Sequence, residues 1–357
     1  MARAKSRTFS ESMPSAAVAA WQNRGVNATP QRIHNLAVTA AMVAAARERI
    51  RSSVIETPIE DVSYLFGEAS ARVFFKMENL QRTGSFKLRG ATNRIALLSG
   101  KQAAAGVIAA SNGNHGLAVA SAAREVGITA EVFVSQQVSA DKAGRIEQLG
   151  ATIRRFGADP LEAEVAARAA AEKSGKVFIS PYNDVDVMAG QGTIAIELLQ
   201  QLGALNAVFV AVGGGGLIGG IGTYLKSASP QTEVVGCWPQ NSPVLYESIK
   251  AGKILDDVKE TPTVSESTSG GLEPGSLTLD VCRRVIDRCV LVTEDEILSA
   301  MRLLRDSKGW LVEGAAGVAI AAFVKDSRYR GKRVAVVICG GNLSQKVKAQ
   351  LEGNDGT

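Results

Sequence analysis

From about residue 36 onward, short apolar runs rich in β-branched residues alternate with longer stretches whose apolar positions recur every three to four residues. The runs at 73–76, 106–110, 131–135, 151–156, 176–179, 207–212, 233–238, 289–293 and 333–339 have strand length and predict β-strands. Between them, 116–125, 141–149, 161–173, 190–201, 293–306 and 314–325 predict helices with one apolar face. Alternating strands and helices predict an α/β fold of mostly parallel sheets flanked by helices. In such sheets, ligand sites open at the carboxyl ends of the strands. The glycine-rich and polar clusters of this chain fall mostly at such ends.

Composition narrows the class. Apolar residues make up 46% and charged residues 21% of 357, enough for one large domain or two of moderate size. The net charge of +5 is concentrated at the start: residues 1–51 hold eight Lys and Arg against only Glu11 and Glu48, so the remainder is close to neutral. The basic balance therefore describes a tail and not a nucleic-acid-binding face. Residues 1–35 lack an apolar period and predict a mostly disordered tail, with a basic, acid-poor transit peptide or a later start at Met13 or Met42 as the other readings. No stretch reaches the roughly 18–20 uninterrupted apolar residues of a membrane span. The cysteines Cys237, Cys282, Cys289 and Cys339 form no C-x-x-C pair, and the only histidines are His34 and His115, so no metal site is expected. Free thiols fit a reducing cytoplasm.

Four segments carry candidate chemistry. Gly213, Gly214, Gly215 and Gly216 follow an apolar run and precede Leu217 and a helical stretch. Successive glycines let backbone N–H groups converge without Cβ obstruction, and the helix start adds partial positive charge: a phosphate cradle. Gly214, Gly216 and Gly219 also satisfy G-x-G-x-x-G, but the next strand ends at Gly236, Cys237 and Trp238 without the acidic residue that holds a ribose, so a mononucleotide-sized or smaller phosphate fits better. Lys87 lies between Phe86 and Leu88 in a segment bounded by Gly84 and Gly90, a setting in which partial burial makes lysine a Schiff-base amine. Ser111, Asn112, Gly113, Asn114 and His115 link a strand to a helix and can receive a carboxylate at the helix N-terminus; His115 is expected to pack or orient this loop more than to act as a base. Cys339 ends the last apolar run, where a thiol can hydrogen-bond a ring nitrogen or simply fill the core.

Together, in order and spacing from about Val54 to Leu343, these segments resemble the fold-type II pyridoxal-phosphate enzymes (tryptophan synthase β-like), and most closely the threonine/serine dehydratase and serine racemase branch. The resemblance implies two α/β domains: a large one from 36–105 plus 184–347, and a small inserted one at 106–183. It implies pyridoxal 5'-phosphate as cofactor, with Lys87 as its Schiff-base lysine and Phe86 beside the ring. Asn114 would meet the 3-hydroxyl, Gly213–Gly216 and the N–H of Leu217 the phosphate, and Cys339 the pyridine nitrogen. Ser111, Asn112, Gly113 and His115 are the implied substrate-binding residues, and Glu313 an orienting residue whose alternative is a plain surface carboxylate. The implied reaction is β-elimination from a small 3-hydroxy amino acid such as L-threonine or L-serine, giving a 2-oxo acid and ammonia. A neutral thiol at the ring nitrogen favours loss of the β-hydroxyl over racemisation. A homodimer acting on a small amino acid, without nucleic acid or membrane, is also implied.

The departures from the family pattern matter. Asn112 stands where the racemases have a serine acid, so racemisation is expected to be weak or absent. Trp238–Pro239 replaces a Glu-Pro pair that helps bind a divalent cation. The stretch 265–275 differs from the family's Ala-Asp-Gly segment, which leaves open other substrates such as hydroxyaspartate, phenylserine or a hydroxyectoine-like compound, and β-replacement as a rival reaction. The chain ends soon after Leu343, so no regulatory domain, and a catabolic or detoxifying role, are expected.

Overall fold

The structure is a computed structural model that describes residues 37–67 and 71–352. The tail predicted for 1–35 lies outside the described residues. Ten strands form two sheets among the described residues. In chain order they are β1 (Ile59–Asp61), β2 (Arg72–Lys76), β3 (Val107–Ala110), β4 (Ala130–Val134), β5 (Thr152–Arg155), β6 (Val177–Phe178), β7 (Ala207–Ala211), β8 (Glu233–Pro239), β9 (Arg288–Val292) and β10 (Arg333–Val337). The larger sheet has the order β1-β2-β10-β7-β8-β9, and the smaller has β5-β4-β3-β6. Every pairing is parallel except β1 with β2.

The burial of each strand follows its place. Central β7, with the sequence AVFVA, is wholly buried, as a strand covered by helices on both faces requires. Edge strand β5, with the sequence TIRR, leaves its charged side chains exposed, which discourages further strand pairing. Over the larger sheet, Phe323 meets Phe209 edge-on at 5.7 Å between centroids, fixing the helix Gly314–Lys325 against β7, and also meets Phe66 at 5.1 Å.

Capping explains several helix starts. Asp159 accepts from the Glu162 N–H with Pro160 next in line, Asp184 accepts from Asp186 and Val187, and Thr293 forms a reciprocal box with Glu296. Two helices cross very closely. An added Cβ at Gly90 would lie 2.4 Å from Gln191 Nε2, and one at Gly190 would lie 2.6 Å from the Arg89 carbonyl. The helix Lys87–Ala96 is thereby set flush on Val185–Leu202.

A buried ionic cluster fixes the same helix. Arg89 donates to Glu78 at 2.8 Å and to Glu197 at 2.7 Å, and Lys76 on β2 donates to Glu197 at 2.6 Å and to the Thr57 carbonyl at 2.7 Å. All four charged side chains are fully buried. Helix Lys87–Ala96 buries Leu88, Ala91 and Ile95 at helical spacing, together with Arg89, Gly90 and Asn93, which pair with other elements. The run at 176–179 shortens to the two residues of β6, and the helix predicted at 190–201 extends to Val185–Leu202.

Candidate active site

A cavity of about 630 Å³ opens between the two sheets. It is walled on one side by the loop after β3 and on the other by the segment Glu266–Gly271 and the chain after β10. A small recess adjoins it, lined by Phe86, Lys87, Asn114, the glycines 213–215, Leu217 and Cys339. Lys87, Asn114, Gly214 and Glu313 line both spaces. The structure thus brings together segments that the sequence separates by some 250 residues.

Lys87 begins the helix Lys87–Ala96, and its position is set by backbone bonds across the chain. Phe86 N–H donates to the Cys339 carbonyl at 3.0 Å, Gly341 N–H donates to the Gly84 carbonyl at 2.9 Å, and Ser85 pairs antiparallel with Gly340. The lysine Nζ donates to the Pro181 carbonyl at 2.8 Å and lies 5.2 Å from the Phe86 ring centroid. Burial lowers its pKa to about 8, against the opposing pull of Glu313 and Cys339. A substantial neutral fraction near physiological pH is what a nucleophilic or proton-accepting amine needs.

At the end of β7 the chain turns through Gly213–Gly216 into the helix Gly216–Ala228. Gly215 has φ of +86°, and an added Cβ at Gly214 would sit 2.4 Å from the Tyr182 ring. Only glycine fits both positions. The N–H groups from Gly213 to Leu217 have no protein partner among the described residues. Unpaired donors converging at the head of a helix suit an anion. With the buried amine and the adjoining recess, they fit the phosphate, ring and carbonyl ends of pyridoxal phosphate.

The loop after β3 splits into two kinds of residue. Ser111 Oγ accepts from the Gly113 N–H at 3.1 Å, so the loop folds back over the head of the helix Asn114–Glu125. Asn112 spends its side chain on Ser135: its Nδ2 donates to Ser135 Oγ, and its Oδ1 accepts from the Ser135 N–H, both at 2.9 Å. What Asn112 can offer a substrate is therefore backbone, since its amide ties this loop to the end of β4. His115 is buried, with Nε2 on the Ile179 carbonyl at 2.8 Å. Burial, reinforced by Lys87, lowers its pKa to about 3, so the ring stays neutral and forms a wall.

Opposite lies a hydrogen-bonded chain that the sequence does not announce. Arg145 donates to Asn342 Oδ1 at 2.8 Å, Asn342 Nδ2 donates to Asn114 Oδ1 at 2.7 Å, and Asn114 Nδ2 donates to Glu313 Oε2 at 2.8 Å. Glu313 Oε1 accepts from Ser267 Oγ at 3.2 Å and from the Cys339 thiol at 3.7 Å. Glu313 is buried and not a surface carboxylate. Burial raises its pKa, while its bonds to Asn114, Ser267 and Cys339 oppose the rise. The Cys339 thiol is pushed well above its usual range by burial and by Glu313, so it stays neutral. Asn342, Arg145 and Tyr182 are residues of this cavity that sequence reasoning did not single out, although Asn342 directly follows Cys339–Gly340–Gly341; Ser267 lies in the stretch 265–275 that the sequence tied to substrate choice.

At the replaced cation pair, Trp238 is fully buried on β8. Among the described residues, no group of three or more His, Cys, Asp or Glu is placed to hold a metal ion, and no helix is long and apolar enough to cross a membrane.

Comparison with known proteins agrees with this geometry. Residues 50–340 match the family described as pyridoxal-phosphate dependent enzyme. The L-threonine ammonia-lyase of Thermotoga maritima is 38% identical over 306 residues, covering 86% of this chain and 76% of that protein. The processed form of threonine deaminase isoform 2 from Solanum lycopersicum aligns with a TM-score of 0.83 at 28% identity, covering 94% of this chain and 96% of that one. Maize serine racemase aligns with a TM-score of 0.82 at 29% identity, covering 89% and 97%.

Proposed function

We infer the function from one premise: the chain belongs to the family of pyridoxal-phosphate dependent enzymes. It is a lyase that removes the β-hydroxyl and the amino group from a small 3-hydroxy amino acid, with L-threonine and L-serine as the first substrates to try. The observation that carries this is the meeting of a burial-weakened amine, an unpartnered glycine-loop anion site and a neutral thiol around one recess. The threonine ammonia-lyase and threonine deaminase relatives support the same reaction.

The residues divide the work. Lys87 would anchor the cofactor, the N–H groups of Gly213–Leu217 would hold its phosphate, Phe86 would pack beside its ring, Asn114 would meet its ring hydroxyl, and Cys339 would face the pyridine nitrogen. When bound, the cofactor supplies a conjugated ring that delocalises the charge left at Cα. Ser111 and the backbone of Asn112 and Gly113, at the head of the helix Asn114–Glu125, receive the substrate carboxylate. Lys87 Nζ, neutral in good part, accepts the Cα proton. The neutral Cys339 thiol would not hold a full positive charge at the ring nitrogen as a carboxylate would, which favours loss of the β-hydroxyl over reprotonation at Cα. The products are a 2-oxo acid and ammonia. Glu313 orients Asn114 and Cys339 and does not touch the reacting atoms in this scheme. The proposal includes two domains, 36–105 with 184–347 carrying the cofactor and 106–183 carrying the carboxylate loop, in a cytoplasmic homodimer.

The test is the visible absorption of the purified protein, followed while 3-hydroxy amino acids are added and 2-oxo acid is assayed. A cofactor band that disappears in Lys87→Ala, with ketoacid from a panel member in the unaltered protein, supports the proposal. A band without ketoacid from any member, or product that incorporates added sulfide instead, sinks β-elimination.

A further inference from the structure

Arg145 is placed where a substrate's far end would be, and it is not neutralised. Its guanidinium lines the cavity, partly buried, on the helix Ala140–Glu147. It donates to the neutral Asn342 Oδ1 at 2.8 Å, and no carboxylate lies within ion-pair distance of it among the described residues. Of the carboxylates that line the cavity, Asp141, one turn earlier on the same helix, makes no ion pair with Arg145, and the others are engaged elsewhere. Glu266 takes Lys142 at 3.6 Å and Ser344 Oγ at 2.8 Å, Glu164 takes Arg168 at 2.9 Å, and Glu313 takes Asn114, Ser267 and Cys339. Apart from Lys87, Arg145 is thus the strong cation of this cavity with no anion of its own.

A partly desolvated guanidinium costs free energy unless an anion meets it. Its planar fork matches a carboxylate through two parallel N–H···O bonds, and the donors not spent on Asn342 are free for it. The substrate α-carboxylate is already provided for at Ser111–Gly113. We propose that Arg145 receives a second carboxylate, borne on the substrate beyond Cβ, so that the preferred substrate is a dicarboxylic 3-hydroxy amino acid of the 3-hydroxyaspartate class. This rests on the β-elimination reading above and names its substrate class. The size of the cavity, well beyond what threonine fills, and the small polar residues Ser267, Ser269, Gly270 and Gly271 along its wall accommodate the added group. The bond to Asn342 holds the guanidinium in place, and Asn342 in turn holds Asn114, so the specificity group and the cofactor-facing asparagine share one scaffold.

The experiment compares the holoenzyme with its Arg145→Gln and Arg145→Lys variants in two readouts. The first is kcat/KM for the 3-hydroxyaspartate stereoisomers against L-threonine and L-serine. The second is calorimetric binding of succinate against butyrate, which needs no turnover. The expected result is a preference for a hydroxyaspartate isomer that falls roughly 10–100-fold in Arg145→Gln relative to the monocarboxylic substrates, the loss of one charge-assisted pair. Succinate should also bind more tightly than butyrate only while residue 145 is cationic. Equal losses for all substrates would make Arg145 a structural strut or an α-carboxylate ligand and overturn the proposal, as would equal binding of succinate and butyrate to the unaltered protein. If no substrate yields 2-oxo acid, the elimination reading fails, while the binding comparison still decides the role of Arg145.

Discussion

The amine of Lys87 offers the most direct quantitative check. Burial lowers its pKa from 10.5 to about 8. At pH 7.5 a lysine of pKa about 8 is neutral in roughly a quarter of molecules, whereas an unperturbed one is neutral in about one per thousand, a difference of roughly 200-fold in reactive amine. Trace acetylation of the cofactor-free chain across pH 6–11, followed by peptide mapping, reads this directly. Acetylation of Lys87 should reach half its plateau near pH 8. Glu313 pulls the pKa upward, so Glu313→Gln should move the midpoint lower still. The sign for stability follows by linkage. Between about pH 8 and about pH 10.5 the unfolded chain holds a proton that the folded chain has released, so this group makes the folded cofactor-free chain more stable as pH rises through that window. A Lys87 midpoint near pH 10.5 would refute the claim that burial activates this amine, and a midpoint that Glu313→Gln leaves in place would remove Glu313 from its electrostatics.

Three further outcomes follow from distances already given. Gly214→Ala places a Cβ 2.4 Å from the Tyr182 ring beside the phosphate loop, so affinity for pyridoxal phosphate should fall, at an overpacking cost of about 1–3 kcal/mol; a titration indistinguishable from that of the unaltered protein would show that the loop yields freely. Glu197→Gln leaves Lys76 and Arg89 short of a buried counter-charge and should cost about 3–5 kcal/mol in denaturant unfolding; a loss under about 1 kcal/mol would mean that the cluster does not fix the helix of Lys87. Since the Asn112 amide is committed to Ser135 and is no acid, L-serine should yield ketoacid without accumulation of the D-isomer; chiral chromatography showing D-serine at a comparable rate would contradict this.

The strands were legible because parallel strands buried on both faces need unbroken apolar runs, and 207–212, 233–238 and 333–339 have them. The helix bearing Lys87 was not, because its short apolar stripe of Leu88, Ala91 and Ile95 is interrupted by buried Arg89 and Asn93, whose partners Glu197 and Asp186 lie some hundred residues away. Short β1 gave no period at all, being three residues long and half exposed. The glycine loop declared itself because four consecutive glycines are costly unless backbone must approach something, and Gly214 against Tyr182 supplies one such approach.

The same logic separates the parts of the site. Lys87, Asn114 and Cys339 stand in local patterns because each sits where a strand or turn delivers it, so a short motif suffices to find it. Arg145 and Asn342 bond partners 197 and 228 residues distant, and a helix residue such as Arg145 looks like any solvated arginine until the fold sets it against Asn342. Local sequence therefore points to the reaction and the three-dimensional pairing to the substrate. Lys87 and Cys339 are tied to each other by backbone, through Phe86 on the Cys339 carbonyl and Gly341 on Gly84, whereas Asn114 and Arg145 are held by side-chain bonds to Asn342. Because Asn342 holds Arg145 on one side and Asn114 on the other, substitution at residue 145 should be read for cofactor affinity as well as for substrate preference, and only a change confined to the dicarboxylic substrates assigns the residue to the substrate.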